Sequence, residues 1–274
     1  MAFLTIDAQQ CNKDGFCAAV CPFHLLRREQ TNSIPEVLKG AAKKCINCGH
    51  CMAVCPTGAL KLGAMPEQSC PPFDSEQLPS FKQMTQLVRG RRSIRVFRDK
   101  PVDRETLEQL IYLARYAPTG RNSQLVSWLV IDSRSEIKRL TEIAADWMRE
   151  LVDINHPMAK LYGLEGIVQG LDNGIDGILR HAPCLVLNHG PAKYPVLSID
   201  STIAMTTFEL AAAARGIGTC WAGFFMTAVK HRPQLHEALD LPGGHVLSMA
   251  LMVGYSKLQF LRLPERKKPN ITWR

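Results

Sequence analysis

From about residue 81 onward, apolar positions alternate between a spacing of three to four and short uninterrupted runs. Leu107, Leu110, Ile111 and Ala114 share one face behind the capping residue Asp103, which predicts a helix to about Tyr116. Ile137, Leu140, Ile143, Ala144 and Trp147 repeat in the same way and predict a helix over Ser135–Val152. Ser201–Arg215 is Ala-rich and helical until Gly216 and Gly218 stop it, and Phe81–Arg89 is a shorter helical stretch. Val126–Ile131, Pro183–Leu187, Thr219–Phe225 and Val246–Val253 read as strands. Strands alternating with helices argue for α+β or α/β architecture with helices covering a sheet. No Gly-x-Gly-x-x-Gly follows a strand and no Walker loop occurs, so a Rossmann unit is not indicated. Segment 153–181, with glycines at 163, 166, 170, 174 and 177, has weak periodicity.

The N-terminal part is built differently. Eight of the ten cysteines fall within residues 1–70, and one pattern occurs twice there, as CNKDGFCAAVCP from Cys11 and CINCGHCMAVCP from Cys45. The second copy is a complete C-x2-C-x2-C-x3-C-P run. Three thiolates on one tight loop wrap one cubane, while the fourth cysteine points away toward the other. Zinc sites also use C-x2-C pairs, but zinc ribbons do not usually add a third cysteine at this spacing and then Cys-Pro. No basic, apolar export signal opens the chain and no run of 18 apolar residues occurs, so a reducing, cytoplasmic setting without a membrane span is expected. Residues 64–80 hold Pro66, Pro71, Pro72 and Pro79 and predict an extended connector between domains 1–63 and 81–274.

The first part resembles bacterial two-cluster ferredoxins. That resemblance implies one 4Fe-4S cluster on Cys45, Cys48, Cys51 and Cys21, and a second on Cys11, Cys17, Cys55 and whatever stands at position 14. Position 14 is Asp14 where the second copy has Cys48. Either Asp14 ligates the fourth iron or that corner is vacant and the cluster is 3Fe-4S; a carboxylate is a harder ligand than a thiolate. Cys70 lies outside both runs and reads as a bystander thiol.

The whole +8 formal charge resides in residues 81–274, which suits an anionic ligand. Nucleic acid is disfavoured, because Lys/Arg blocks are short and aromatic residues are 7%. Three segments carry chemistry. Arg91-Arg92-Ser93-Ile94-Arg95 offers guanidinium forks and a hydroxyl to a phosphate, and an extended backbone would put Arg91, Ser93 and Arg95 on one side. Pro118-Thr119-Gly120-Arg121-Asn122-Ser123-Gln124 follows the long helix and offers amides suited to a heterocycle edge. Gly216–Gly223 is rich in small residues that let backbone approach a flat ring. Buried cysteine at 184 and 220 is read as a small hydrophobe, and His189 and His245 as structural residues near strand ends.

In this order, with VGYSKLQFLRLPERKKP near the end, the segments resemble the nitroreductase family of flavin enzymes. The resemblance implies an α+β fold, an intertwined homodimer and one FMN per subunit. It puts Arg91, Arg92, Ser93 and Arg95 on the FMN phosphate and ribityl chain, with Arg266 and Lys267 closing the phosphate site. Pro118, Thr119, Gly120, Asn122 and Gln124 would contact the isoalloxazine, and Trp221, Ala222 and Gly223 would back it. Segment 153–181 corresponds to the family's variable lid, which implies that it shapes substrate choice.

The combination predicts a reductase. A low-potential donor (a ferredoxin or NAD(P)H) loads the clusters, they reduce FMN, and a small conjugated acceptor such as a nitroaromatic or quinone takes the electrons. No catalytic side chain is singled out. An electron-transfer flavoprotein without turnover, a dehalogenase or enoate reductase on the same fold, and a zinc-stabilised binding module are the competing readings.

Overall fold

The computed structural model describes residues 3–274. Met1 and Ala2, which the expected first domain includes, lie outside the described residues. The chain divides into two compact units: one reaches Leu78 and takes in Arg121–Ser123, the other comprises Pro79–Gly120 and Gln124–Arg274.

In the first unit, β1 (Leu4–Ile6) runs through α1 (Phe16–Val20), β2 (Leu26–Arg27), β3 (Glu36–Val37), α2 (Ala41–Lys44) and α3 (His50–Ala53) to β4 (Leu60–Leu62). β1 and β4 pair antiparallel with Thr5 opposite Lys61, and β2 pairs antiparallel with β3. The helices have four or five residues, too short to be stable alone. Their core is small: Cys17, Leu26, Leu60 and Leu62 form one buried cluster. Between β4 and Leu78 the prolines allow only two 3-10 turns, at Glu67–Ser69 and Ser75–Gln77.

The second unit begins with α4 (Phe81–Gly90), closed by a Ser80–Gln83 capping box, and α5 (Arg104–Ala114), where Asp103 accepts the Thr106 N–H at 2.8 Å. There follow β5 (Ser127–Ile131), α6 (Arg134–Asp153), α7 (Pro157–Tyr162), α8 (Leu164–Asp172) and β6 (Cys184–Pro191). The chain ends with α9 (Leu197–Ala214), β7 (Gly218–Trp221), α10 (Gly223–His231), α11 (Pro233–Glu237) and β8 (His245–Gly254), before an irregular tail. The four strands form one antiparallel sheet in the order β5-β6-β8-β7.

Alternation along the central strands builds both faces. Leu185, Leu187, Ala250 and Met252 pack with α6, α8, α10 and α11, whereas Cys184, Val186, Leu251 and Val253 pack with α5 and α9. This sandwich of helices on both sides of an antiparallel sheet is the expected α+β class. It also explains why β6 reads as a continuous apolar run rather than an alternating one.

Two expected elements change. The strand over Thr219–Phe225 stops at Trp221, where Ala222 makes the last ladder bond to Ala250, and the chain turns into α10. Phe225, Ala228 and Val229 are buried at helical spacing, and the short apolar run had masked that period. The weakly periodic 153–181 segment folds as α7 and α8 with a left-handed Gly163 between them.

Phe208 is fully buried between α9 and the sheet. Phe208→Ala is expected to lower the unfolding free energy by about 3–5 kcal/mol, read from denaturant midpoints.

Candidate functional site

The two sulfur repeats fold alike. Gly15 and Gly49 sit at φ 75° and 76° immediately before α1 and α3, so each loop turns through a left-handed residue into a short helix. Cys17 and Cys51 then fall in the first turn, and Cys21 and Cys55 just past the end. All ten cysteines are free thiols.

The structure brings them together in two groups. Cys51 is pushed up to about 11 by burial, and the thiols acting on it are those of Cys48, Cys21 and Cys45. Cys17 is also raised by burial, and the groups acting on it are Cys55, Asp14 and Cys11. These are the two ligand sets expected from the resemblance. Burial raises Cys55 as well, but hydrogen bonds from Thr57, Leu60 and Ala59 outweigh it and the net shift is downward. Among the described residues no three His, Cys, Asp or Glu side chains lie close enough to hold a single metal ion.

Asp14 occupies the odd corner. Its Oδ1 accepts the Phe16 N–H at 2.9 Å, while Oδ2 is buried without a hydrogen-bond partner. A buried, unpaired carboxylate oxygen is costly, and Asp14 is one of the three groups whose charge acts on Cys17. The donor set therefore fits paired iron–sulfur clusters. Arg28 braces this loop, donating from Nη1 to the carbonyls of Asp14 at 3.1 Å and Thr31 at 2.6 Å.

In the second unit, residues 91–98 run extended along the sheet edge. Ile94 donates to Thr219 O at 2.8 Å, Ser93 bridges Thr219, and Phe97 bridges Ser256. Arg91 pairs with Glu209 at 3.2 Å; Glu209 is only 5% exposed and also accepts from Thr219 Oγ1 at 3.0 Å. Arg91 and Arg92 line a cavity of 240 Å³ walled by the backbone of Gly216–Thr219. Arg95 lines a different cavity, of 390 Å³, with Cys220, Trp221 and Gly223. The single-sided arrangement expected for Arg91 and Arg95 is thus divided between two cavities. Nothing lies within 4 Å of the place a Cβ would take on Gly223, which leaves room beside Trp221 for a flat group.

The 118–124 loop is held under strain. Arg121, Asn122 and Gln124 have φ of 54°, 53° and 51°, a conformation that costs a non-glycine residue about 1–3 kcal/mol. The restraints are strong. The buried Asp200 carboxylate accepts the Gly120 N–H at 3.1 Å through both oxygens and the Tyr194 hydroxyl at 2.7 Å. Gln124 N donates to Thr119 Oγ1 at 3.1 Å. A Cβ on Gly120 would stand 2.8 Å from Val196 Cγ2, so only glycine fits. Arg121–Ser123 group with the first unit, where the Asn122 amide donates to the carbonyls of Ile46 and Asn47 at 2.9 and 3.0 Å. Arg266 and Lys267 are exposed in the tail, with no hydrogen bond or ion pair among the described residues.

Sequence reasoning missed Asp200, Glu209 and Tyr194. Two acids on the otherwise apolar α9 were the available signal, since a carboxylate on a buried face needs a partner.

Residues 88–255 match the nitroreductase family model, and residues 5–59 match the 4Fe-4S dicluster domain. A flavin-class α+β sandwich preceded by a ferredoxin-type module is therefore the class of the protein. The chain belongs to the nitroreductase family and carries an N-terminal 4Fe-4S dicluster domain. It is 28% identical to an FMN reductase [NAD(P)H] of Bacillus subtilis over 60% of this chain and 62% of that protein. It thus spans less than two thirds of that relative's length. It is 26% identical to a putative NADH dehydrogenase/NAD(P)H nitroreductase of Archaeoglobus fulgidus over 65% of this chain and 87% of that protein. Among solved structures, a nitroreductase with bound FMN from Bacteroides fragilis superposes with a TM-score of 0.57 at 21% identity, covering 69% of this chain and 97% of that one. That likeness concerns the fold.

Asp200→Asn removes one of the two oxygens that receive Gly120. It is expected to cost about 1–3 kcal/mol of stability and to speed hydrogen exchange at the Gly120 amide; unchanged exchange there would show that the loop holds itself.

Proposed function

We propose that this protein is an FMN-dependent reductase whose electrons arrive through two iron–sulfur clusters and leave to a small conjugated acceptor such as a nitroaromatic or quinone. The observation that carries the reading is the pair of four-acid groups around Cys17 and Cys51, encoded on one chain with a nitroreductase domain. The clusters supply single electrons and FMN delivers them in pairs.

The chain's own residues fit these tasks. Cys45, Cys48, Cys51 and Cys21 hold one cluster; Cys11, Cys17, Cys55 and the free oxygen of Asp14 hold the other, with three or four irons. Arg91, Arg92, Ser93 and Arg95 take the phosphate and ribityl chain, and Glu209 restrains Arg91 so that its fork is ordered beforehand. Pro118, Thr119, Gly120, Asn122 and Gln124 form the strained loop beside the isoalloxazine, and Trp221, Ala222 and Gly223 supply the open wall behind it. The names of the Bacillus subtilis FMN reductase and of a 4-nitrobenzoate reductase of Nocardioides, 26% identical over 66% of this chain and 84% of that protein, support this chemistry.

A homodimer is part of the proposal. Phe260 (51% exposed), Leu261 (80%) and Trp273 (88%) stand out in a tail that makes no regular structure, and Arg266 and Lys267 lie between them. A second copy would cover these apolar side chains and bring the two cations to a phosphate. Cytoplasmic residence completes the reading; among the described residues no helix is long and apolar enough to cross a membrane.

Anaerobic purification should yield a brown protein with iron, acid-labile sulfide and releasable FMN. A protein lacking all three refutes the proposal. Asp14→Cys should give two all-cysteine clusters by EPR and iron count, while Asp14→Ala should leave a three-iron signal; identical spectra for all three proteins would remove Asp14 from the ligand set.

The clusters replace nicotinamide as the direct electron source in this reading. A dithionite-reduced ferredoxin should reduce the flavin quickly and NAD(P)H slowly, followed by stopped-flow absorbance. Fast, stoichiometric reduction by NADH after removal of the clusters would contradict that route.

A further inference from the structure

The cavity beside Trp221 has a second wall, drawn from the 153–181 segment that the resemblance ties to substrate choice. It comes from the turn after α8, and it carries Arg180. That turn is built around one carboxylate. Asp176, 8% exposed, accepts the N–H groups of Ile178 at 2.9 Å, Leu179 at 2.8 Å and His181 at 2.9 Å. Ile178 and Leu179 are 1% and 0% exposed, so the turn is anchored in the core as well. Arg180 and His181 are consequently held at φ 56° and 50°, a strained left-handed pair with no glycine.

The strain keeps a cation at the cavity. Arg95 reaches the same space from the extended 91–98 segment. Neither guanidinium has an ion-pair or hydrogen-bond partner among the described residues. Trp221, Phe224, Ile178 and Met252 give the wall a large apolar and aromatic area, and Tyr162 and Thr227 add two hydroxyls. The field of both cations is felt at Cys220: burial pushes its thiol up, and Arg95 and Arg180 pull against that shift. Two uncompensated positive charges over low-dielectric walls concentrate anions, and a guanidinium fork matches a carboxylate in two parallel hydrogen bonds.

We propose that the part of this cavity left open by the flavin selects a planar conjugated acceptor carrying a carboxylate or similar anionic group, and that Arg180 is the residue that recognises the charge. The inference rests on the reductase reading above, and it assigns part of the 153–181 segment to acceptor choice. Arg95 is shared with the flavin in that reading; Arg180 is not.

The test uses the oxidised, FMN-loaded full chain and reads binding rather than turnover. Benzoate and benzamide have nearly the same shape and differ in charge, so each is titrated while the flavin absorbance is followed. Benzoate should bind at least about tenfold more tightly than benzamide, with the difference shrinking as salt rises. Arg180→Gln should lose that preference and leave benzamide unchanged, whereas Arg180→Lys should keep part of it. Flavin retention, measured by ultrafiltration of each variant, should match the parent. Equal affinity for the two probes in the parent protein overturns the proposal, as does equal weakening of both in Arg180→Gln. A tenfold loss of FMN by Arg180→Gln overturns it in another way, since Arg180 then serves the cofactor's own anionic groups. A parent protein that holds no FMN is a separate failure, that of the reductase reading itself.

Discussion

Acidic groups crowded into a small volume dominate the first unit. Three of them act on Cys17 and three others on Cys51. Ionising four such groups side by side is unfavourable, which is why burial and neighbouring thiols raise these two cysteines together. Iron removes the conflict, because a thiolate bound to a cation is stable where a free thiolate is not. The protein core around them, Cys17 with Leu26, Leu60 and Leu62, is too small to hold helices of four or five residues by apolar burial alone. The left-handed glycines at 15 and 49 give both cysteine loops one geometry.

The second unit solves a different problem with the same kind of group. Its sheet is buried on both faces and needs little more than apolar side chains to be stable. Three buried carboxylates nevertheless persist, and each organises a loop. Asp200 holds Gly120, Asp176 holds the turn that presents Arg180, and Glu209 holds Arg91. Hydrogen bonds from backbone N–H groups to a charged oxygen are stronger than neutral ones, so a single residue can offset several strained φ angles. Arg91 and Arg180, held through Glu209 and Asp176, each line one of the two cavities.

The open side of the molecule is apolar in a way that the core does not require. Phe81 at the start of α4 is 88% exposed, as is Trp273 near the end of the tail.

The amino-acid sequence by itself determined the two cysteine repeats, the substitution of Asp14, the capped helix behind Asp103 and the alternation of helices with strands. Each is written in local spacing, which physics converts directly into geometry: thiolates three residues apart share a loop, and apolar residues three or four apart share a helix face. Tertiary structure decided the rest. Asp200 and Gly120 are 80 residues apart, and Arg91 and Glu209 are 118 apart, so no window of sequence contains either pair. Arg95 and Arg180 border one cavity only because β7 and the turn after α8 end beside each other. The strand expected through Phe225 failed for the same reason: a short apolar run is compatible with strand or helix, and the contacts of β8 and the core alone decide between them.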